Sequence, residues 1–304
     1  MATQTGLEDK IGALILPLIG GVAHVSGRRI PGEGINDIGQ YGEKVHQRTI
    51  EMLEGFRQKR VLVLLCTGLG EYSIEIAKRI PHDYLISEYG GVITASNGEP
   101  ETGYADLIRK EVEAVESYRR LISSHSPRLP IVEEARAASF RIMPDSQHGL
   151  SFFTIADILQ QIAVPRNDEA IKRLPVISEE HHNTEVTYEI PVVMGSDIRL
   201  YRPQTGENGF FVILPENISY KTAADYLAKK SGIQPSNIAA FGNDPFWLDL
   251  IGSAGFKYTL AIHGEELRKL VTGMGSFVAE QTSHHGTISI LERFALIALP
   301  QMIA

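Results

Sequence analysis

The chain has 304 residues, of which 43% are hydrophobic, so it can bury a large core in one large domain or in two modest ones. Its formal net charge is −8 and its pI is near 5.7. Nucleic acids and anionic membranes bind proteins through clustered Lys and Arg, and this sequence has no basic stripe. We therefore expect neither a nucleic-acid partner nor a membrane partner.

The cysteine content and the amino-terminal residues indicate a cytoplasmic protein. Cys66 is the single cysteine, which excludes an internal disulfide and suits a reducing compartment. The apolar stretch 11–25 is interrupted by Pro17 and by two glycines, and it is too short to span a bilayer. The residues GLEDK before it have mixed charge, whereas a secretory signal begins with a basic leader. We expect no secretion.

The first half of the chain begins with an apolar run, IGALILPLIGG, which predicts a buried strand of a parallel sheet. Because proline cannot donate to a sheet ladder, Pro17 should be the last paired residue or lie just beyond it. The polar, glycine-rich segment 28–42 predicts a loop. The next segment, GEKVHQRTIEMLEGF, has apolar residues at helical spacing and predicts a helix that ends near Gly55.

The segment KRVLVLLCTG is the clearest strand pattern, and it ends at Cys66, Thr67 and Gly68. A threonine hydroxyl and backbone N–H groups at such a strand end can bind an anion. Alternatively, Thr67 only caps the following helix, SIEIAKRI. A cysteine in an apolar strand is usually inert, although Cys66 adjoins Thr67 at the expected edge of the sheet. A further strand and turn follow in YLISEYGGVI.

The character of the sequence changes from about residue 94 to residue 202. A long charged amphipathic helix, ADLIRKEVEAVESYRRLISSH, is followed by a strand in AASFRIM. A helix in SFFTIADILQQIAV and a strand in VTYEIPVVM come next. This pattern predicts an α+β insertion between the two halves of a doubly wound sheet.

The segment 211–255 predicts a second α/β unit. It contains an apolar run (FFVIL), a loop ending in Lys221, an amphipathic helix (TAADYLAKKSG), a second apolar run (IAAFG) and a closing helix. Asn243 and Asp244 follow the second run, which places them at the carboxyl edge of a parallel sheet, where open α/β sheets bind ligands. Alternatively, both residues only cap the next helix. The tail adds a strand, a helix, a short strand and a final helix.

This order of elements resembles the haloacid dehalogenase (HAD) superfamily, especially its Cof-like and sugar-phosphate phosphatases with an inserted cap. The resemblance rests on a lone lysine ahead of one helix and a Gly-Asn-Asp turn after the next strand. It implies a doubly wound, Rossmann-like parallel core at 1–93 and 203–304, and an inserted α+β cap domain at 94–202 that selects the substrate. Gly286, ahead of the final helix, matches a glycine common at this place in the family.

The resemblance also indicates which positions of this sequence correspond to the family's catalytic acids. The family's first strand ends in Asp-x-Asp-Gly-Thr, where the first Asp attacks phosphorus and the second transfers the proton. Here the segment is PLIGG, so Pro17 is at the nucleophile position and Ile19 at the acid/base position. The family's later magnesium ligands become Gly242-Asn243 and Phe246-Trp247. Because magnesium is usually held by carboxylate oxygens, we expect the metal site to be lost and no cofactor to be bound.

Two phosphate-holding positions of the family remain. Thr67 matches the Thr or Ser that binds the phosphoryl group, although the Arg that often follows is Leu69 here. Lys221 matches the lysine that pairs with the nucleophile, and with Pro17 in that place it would be free to bind an anion. Alternatively, Lys221 is a solvated surface lysine. The expected ligand-binding residues are Thr67, Gly68, Lys221, Asn243 and Asp244.

Three functions are compatible with these residues. The first is a phosphatase homologue that binds a phosphorylated or other anionic small molecule, or a partner protein, without hydrolysis. The second is an enzyme that uses the pocket without magnesium. Its acid/base groups would come from Asp244, Asp249, Glu71, Cys66 or a histidine. The third is an active sugar-phosphate phosphatase in a different register.

Other polar clusters in the sequence give weaker indications of a functional site. His181-His182 and His284-His285 are adjacent pairs, and neighbouring residues seldom face one metal, since helical zinc sites prefer a spacing of three or four. We therefore expect no histidine metal site. Glu179-Glu180 is expected in a solvated loop, and Trp247 in the core.

Overall fold

The computed structural model describes most of the chain. The described residues are 11–25, 35–38, 43–125, 131, 136–142, 192–193, 198–201, 211–215, 217–242, 247–260, 265–273, 277–281 and 283–298. None of the helices in these ranges is both long enough and apolar enough to cross a membrane.

Seven strands form the main sheet. In spatial order they are β14 (Phe277–Ala279), β13 (Phe256–Leu260), β12 (Ile238–Gly242), β1 (Ala13–Pro17), β5 (Leu62–Cys66), β6 (Tyr84–Ser87) and β7 (Val92–Ala95). Neighbouring strands pair in parallel except β6 and β7, which are antiparallel. Parallel strands need crossover connections, usually helices, that cover both faces. The predicted α/β, doubly wound class is confirmed.

Eight helices lie in the described residues. They are α1 (Gln47–Gln58), α2 (Tyr72–Ala77), α3 (Thr102–Leu107), α4 (Arg109–His125), α5 (Tyr220–Lys230), α6 (Leu248–Ser253), α7 (Glu265–Gly273) and α8 (Ser283–Ala298). Side chains alternate across β1, so Leu14 and Leu16 pack with residues of α1 and α8 in one buried cluster. Ala13 and Ile15 pack with residues of α5 and α6 in the other. The two cores place β1 at the centre of the protein.

Two smaller antiparallel sheets accompany the main one. The four-stranded sheet has the order β8 (Phe140–Ile142), β11 (Phe211–Pro215), β10 (Ile198–Tyr201) and β9 (Val192–Val193). The three-stranded sheet has the order β2 (His24–Val25), β4 (Glu43–His46) and β3 (Ile35–Asp37). The four-stranded sheet is separate from the main sheet and fits the predicted α+β insertion. The exact division into 1–93, 94–202 and 203–304 stays a prediction.

One strand lies in a different sheet from the expected one. The run FFVIL was assigned to the core, but β11 pairs with β8 and β10, with Phe211 opposite Ile142 and Val212 opposite Arg141. An apolar run shows that a strand is buried but does not identify its neighbours. The unit that begins at residue 211 therefore joins the two sheets.

Several element boundaries also differ from the predictions. Residues 43–46 form β4 rather than the start of a helix, because they pair with both β2 and β3. Helix α1 begins after His46, whose side chain caps the helix by accepting a hydrogen bond from Arg48 N at 3.0 Å. Residues 35–37 of the expected loop form β3. The long charged helix divides into α3 and α4 at Ile108. The predicted helix SFFTIADILQQIAV lies outside the described residues.

The positions of two residues relative to the start of their helices differ from the predictions. Lys221 lies in the first turn of α5 rather than in the loop before it, because Ser219 caps that helix by accepting from Thr222 N. Gly286 lies within α8 rather than ahead of it. For Lys221, the capping Ser219 places the helix start earlier than the apolar pattern does.

Candidate functional site

The carboxyl end of β1 is a closed, apolar turn. Pro17 is the last residue of the strand, as predicted, and it lies in register with Cys66. Leu18 N donates to Cys66 O at 2.7 Å, and the chain then turns back so that Val22 N donates to Pro17 O at 2.9 Å. The side chains of Pro17 and Ile19 contain only carbon and hydrogen, so neither can attack phosphorus or transfer a proton.

The Thr67 turn, which we define as residues 67–69, adjoins this end of β1. Thr67 is buried, its N–H donates to Ile86 O at 2.9 Å, and its Oγ1 accepts from Leu69 N at 3.2 Å. The hydroxyl thus stabilises its own turn ahead of α2 while lying at the carboxyl edge of β5. Both interpretations of Thr67, the local cap and the anion-binding hydroxyl, are compatible with this position.

Gly68 is required at its position by Tyr89. A Cβ atom added to Gly68 would lie 2.2 Å from Tyr89 Cζ and 2.4 Å from its hydroxyl oxygen, far inside van der Waals contact. The Tyr89 ring also lies 6.0 Å from Tyr220, whose ring is 4.9 Å from that of Trp247. The predicted burial of Trp247 is confirmed. An aromatic row therefore packs beneath the Thr67 turn.

Glu88 fastens residues 137–139 to the main sheet. Its buried carboxylate accepts hydrogen bonds from Ala137 N at 2.8 Å, Ala138 N at 2.9 Å and the Ser139 hydroxyl at 2.8 Å. Glu88 and Tyr89 have φ angles of 50° and 58°, which are uncommon for residues with side chains. Three hydrogen bonds to one buried carboxylate, together with these uncommon φ angles, indicate that the contact between the main sheet and the segment leading into β8 is a defined feature of the fold.

Two arginines that the sequence analysis missed contact the Thr67 turn. Arg136 donates to Gly68 O at 2.9 Å and to the Ser139 hydroxyl at 2.9 Å. Arg141, in β8, donates to Gly68 O at 3.1 Å. The segment has no motif that marks them. The sequence contained one indication of the position of Arg141. It lies between the apolar residues Phe140 and Ile142, which are buried, so its side chain projects to the opposite face of the strand.

The other predicted binding residues are only partly placed. Lys221 forms an ion pair with Asp225, four residues along α5, a local partner that the sequence analysis did not consider, and its anion-binding role stays a prediction. The two side chains are 37% and 43% exposed, as is usual for a helical pair at this spacing. Asn243, Asp244 and Phe246 lie outside the described residues.

The residues considered for metal-independent chemistry are dispersed. Burial raises the pKa of the Cys66 thiol well above its usual value, which disfavours the reactive thiolate. Glu71 precedes α2 and lines a surface groove with Glu75 and Lys78. Asp249 is exposed in the first turn of α6. Of these three residues, Cys66 lies beside the end of β1, in register with Pro17.

Four histidines form a cluster at the start of α8. The ring of the buried His284 packs edge-on against His24 at 4.5 Å, and His46 lies 6.4 Å from His284 and 6.5 Å from His285. Neither ring nitrogen of His284 has a hydrogen-bond partner among the described residues. Burial, together with the charges of His46, His285 and Lys44, lowers the pKa of His284 to about 4. His181, His182, Glu179 and Glu180 lie outside the described residues.

Comparisons with known proteins agree with this geometry. A family model for haloacid dehalogenase-like hydrolases matches residues 38–274. A sequence search of curated proteins finds no match. A solved Thermoplasma acidophilum protein is 12% identical with a TM-score of 0.60, and the alignment covers 94% of this chain and 99% of that one.

Two further solved structures are phosphatases. The sucrose-phosphatase of Synechocystis, solved with sucrose and phosphate, is 13% identical with a TM-score of 0.59, covering 94% of this chain and 98% of that one. A Bacteroides thetaiotaomicron phosphatase of the haloalkanoate (HAD) superfamily is 12% identical with a TM-score of 0.56, covering 97% and 98%. Sequence identities this low show that these proteins share a fold with this chain and do not show a shared activity. Because the family match spans most of the sequence, the chain belongs to the haloacid dehalogenase-like hydrolase family.

Proposed function

We propose that this protein is a phosphatase homologue that binds a phosphorylated or other anionic small molecule without hydrolysing it. The observation that carries the proposal is the end of the central strand, where Pro17 and Ile19 lie beside the Thr67 turn. Phosphoryl transfer in this family requires a carboxylate nucleophile and a proton donor, and hydrocarbon side chains supply neither. Loss of the nucleophile alone would remove many orders of magnitude of rate.

The available donor atoms also argue against magnesium. Magnesium prefers several carboxylate oxygens in octahedral geometry. Among the described residues, no group of three or more His, Cys, Asp or Glu side chains is arranged to hold a metal ion. At the family's later ligand positions Asn243 offers only a neutral carbonyl, and the side chain of Trp247 is buried in the core. We therefore propose a site that works without a metal cofactor.

The proposed anion site combines residues from several elements. Thr67 offers a hydroxyl at the edge of β5, and Gly68 follows it in the same turn, with the Tyr89 ring close to its backbone. Lys221 lies one residue after Tyr220, whose ring is close to Tyr89, and it can reach an anion by exchanging its ion pair with Asp225. Asn243 and Asp244 complete the proposed set. The single buried cysteine supports a cytoplasmic location.

Thermal shift measurements with inorganic phosphate and a hexose 6-phosphate test this function. A ligand that binds only the folded state stabilises it by about 2.7 kcal/mol at a concentration of 100 Kd. We expect phosphorylated compounds to raise the melting temperature, Thr67→Val and Lys221→Ala to reduce that rise, and Thr67→Ser to retain most of it. Lys229→Ala, at an exposed position in the last turn of the same helix, is the matched control.

Two results would reject the proposal. If phosphate and sugar phosphates at millimolar concentration left the melting temperature unchanged, the ligand class would be wrong. If Lys221→Ala and Thr67→Val left every observed shift intact, the ligand would bind elsewhere. A ligand that is chemically altered during incubation without added metal would instead favour an enzyme that has adopted the pocket for other chemistry.

A further inference from the structure

Three elements meet at the histidine cluster, which we define as His24, His46, His284 and His285. His24 belongs to β2 and His46 ends β4, so both are part of the three-stranded sheet, while His284 and His285 lie in the first turn of α8. The rings of His24 and His284 pack edge-on at 4.5 Å, and the ring of His46 is 6.4 Å from that of His284. The cluster is therefore a contact between the three-stranded sheet and α8.

The same contact continues to the turn that follows β1. Thr287, one turn further along α8, donates its hydroxyl to Gly21 O at 2.5 Å and lies 3.4 Å from His24 Nε2. The next residue, Val22, donates its N–H to Pro17 O at 2.9 Å. The start of α8 thus holds both the three-stranded sheet and the turn at the end of the central strand.

The surroundings of His284 oppose a proton on its ring. Its side chain is buried, and neither ring nitrogen has a hydrogen-bond partner in the described part of the chain. Burial and the positive charges of His46, His285 and Lys44 lower its pKa to about 4. The positive end of the helix macrodipole, at the start of α8, acts in the same direction. Each of these influences favours the neutral imidazole.

The carboxylates on the neighbouring elements do not offset these charges. Glu43, on β4, is buried and accepts from the Tyr72 hydroxyl at 3.1 Å. Glu51, on α1, pairs with Arg48 at 3.6 Å on the surface, and Glu280, ahead of α8, is exposed. A carboxylate that compensated the buried ring would raise its pKa, whereas the pKa is lowered. A protonated ring is therefore stabilised by moving out of this contact into water.

The three-stranded sheet is small enough to separate without unfolding the protein. Its described strands have only two, three and four residues. The burial of Val45 in the same core cluster as Leu14 opposes separation. A proton favours it, because a pKa of about 4 in place of 6.5 means that a state with the ring in water binds the proton about 300-fold more tightly. Local opening of a small element costs less than global unfolding.

We propose that the histidine cluster is an acid-sensitive latch, which fastens the three-stranded sheet and the turn after β1 to α8 while His284 is neutral. Protonation of His284 releases the three-stranded sheet before the main sheet unfolds. This latch goes beyond the proposed function and does not depend on it. Because the turn after β1 contains Ile19, the release also loosens the candidate site.

Hydrogen exchange measured by mass spectrometry on the full chain tests the latch, with rates corrected for the intrinsic effect of pH. Between pH 6.0 and pH 4.5 we expect the protection of residues 24–25 and 43–46 to fall about twentyfold, as the two pKa values require. The central strands β5 and β12 should keep their protection. His284→Leu should remove most of the fall. His82→Leu, which removes a different buried histidine with a lowered pKa, is the matched control and should respond like the wild type.

Two results would overturn the latch. If residues 24–25 and 43–46 lose protection together with β5 and β12, acid acts on the whole fold rather than on this contact. If His284→Leu loses protection as steeply as the wild type, other groups cause the release. If His284→Leu is not folded at pH 7.5, His284→Gln decides by the same two criteria, since it is also uncharged in acid. Phosphate binding at pH 7.5 tests the proposed function separately.

Discussion

The buried carboxylate of Glu88 accepts a 2.8 Å hydrogen bond from the hydroxyl of Ser139, a residue 51 positions away in sequence. Its oxygens also accept from the backbone of Ala137 and Ala138. This contact joins the turn after β6 to the segment that leads into β8. The same segment brings Arg136 to the Thr67 turn, so Glu88 helps to position that arginine beside Gly68.

Replacing this carboxylate should destabilise the protein. In Glu88→Gln an amide N–H2 group faces backbone N–H donors, which leaves at least one buried donor unsatisfied at a cost of about 1–3 kcal/mol. We expect a lower melting temperature by calorimetry. Glu54→Gln, at an exposed position of α1, is the matched control and should change little. Equal melting temperatures for the two variants would show that the Glu88 contact contributes nothing to stability.

The close approach of Tyr89 to Gly68 predicts a second effect. Gly68→Ala places a Cβ atom 2.2 Å from the Tyr89 ring, and displacing a buried ring costs about 1–3 kcal/mol. We expect reduced stability and weaker phosphate binding in the same variant. Gly55→Ala in α1 meets no atom within 4 Å and improves helix propensity, so it should be neutral or stabilising by up to about 1 kcal/mol. A stable Gly68→Ala variant with unchanged affinity contradicts this contact.

The buried histidine of the α8 cluster predicts how stability depends on pH. The pKa of His284 is lowered from 6.5 to about 4 in the folded state, so the unfolded chain takes up a proton that the folded chain does not. This contribution to stability is intact above pH 6.5 and is lost as the pH falls toward 4, by up to about 3 kcal/mol. Burial also lowers the pKa of His82, which acts in the same direction.

Denaturant titrations at several pH values between 7.5 and 4.5 test this linkage. His284→Leu removes the titrating group and two buried nitrogens that have no hydrogen-bond partner in the described part of the chain, so the acid-induced loss of unfolding free energy should shrink. The part due to His82 should remain, and a His82→Leu variant measures it separately. A pH dependence in His284→Leu as steep as that of the wild type would assign the effect to other groups.

The sequence predicts the central strands well and the contacts between sheets poorly. β1 and β5 are continuous apolar runs ending in turn residues, so their burial and the positions of Pro17 and Thr67 follow from local pattern. The partners of β11 do not, because an apolar run fits either sheet. The contacts from Gly68 to Arg136 and Arg141 span 68 and 73 residues and have no local signature.

The pairing of Lys221 shows the same limit on a smaller scale. The helical spacing to Asp225 is visible in the sequence, and such i,i+4 pairs are common. The family position indicates an anion-binding role for Lys221 and does not indicate this local partner. The structure shows the ion pair, and the anion-binding role stays a prediction.

The most direct test of the central claim is hydrolysis of p-nitrophenyl phosphate by the purified protein, with Mg²⁺ and with EDTA. Because Pro17 and Ile19 supply no nucleophile or proton donor, we expect the release of nitrophenol to stay at the rate without protein in both buffers. Turnover that rises with protein concentration, requires Mg²⁺ and is lost in Lys221→Ala would contradict the account, since it would show a working catalytic site at the end of β1.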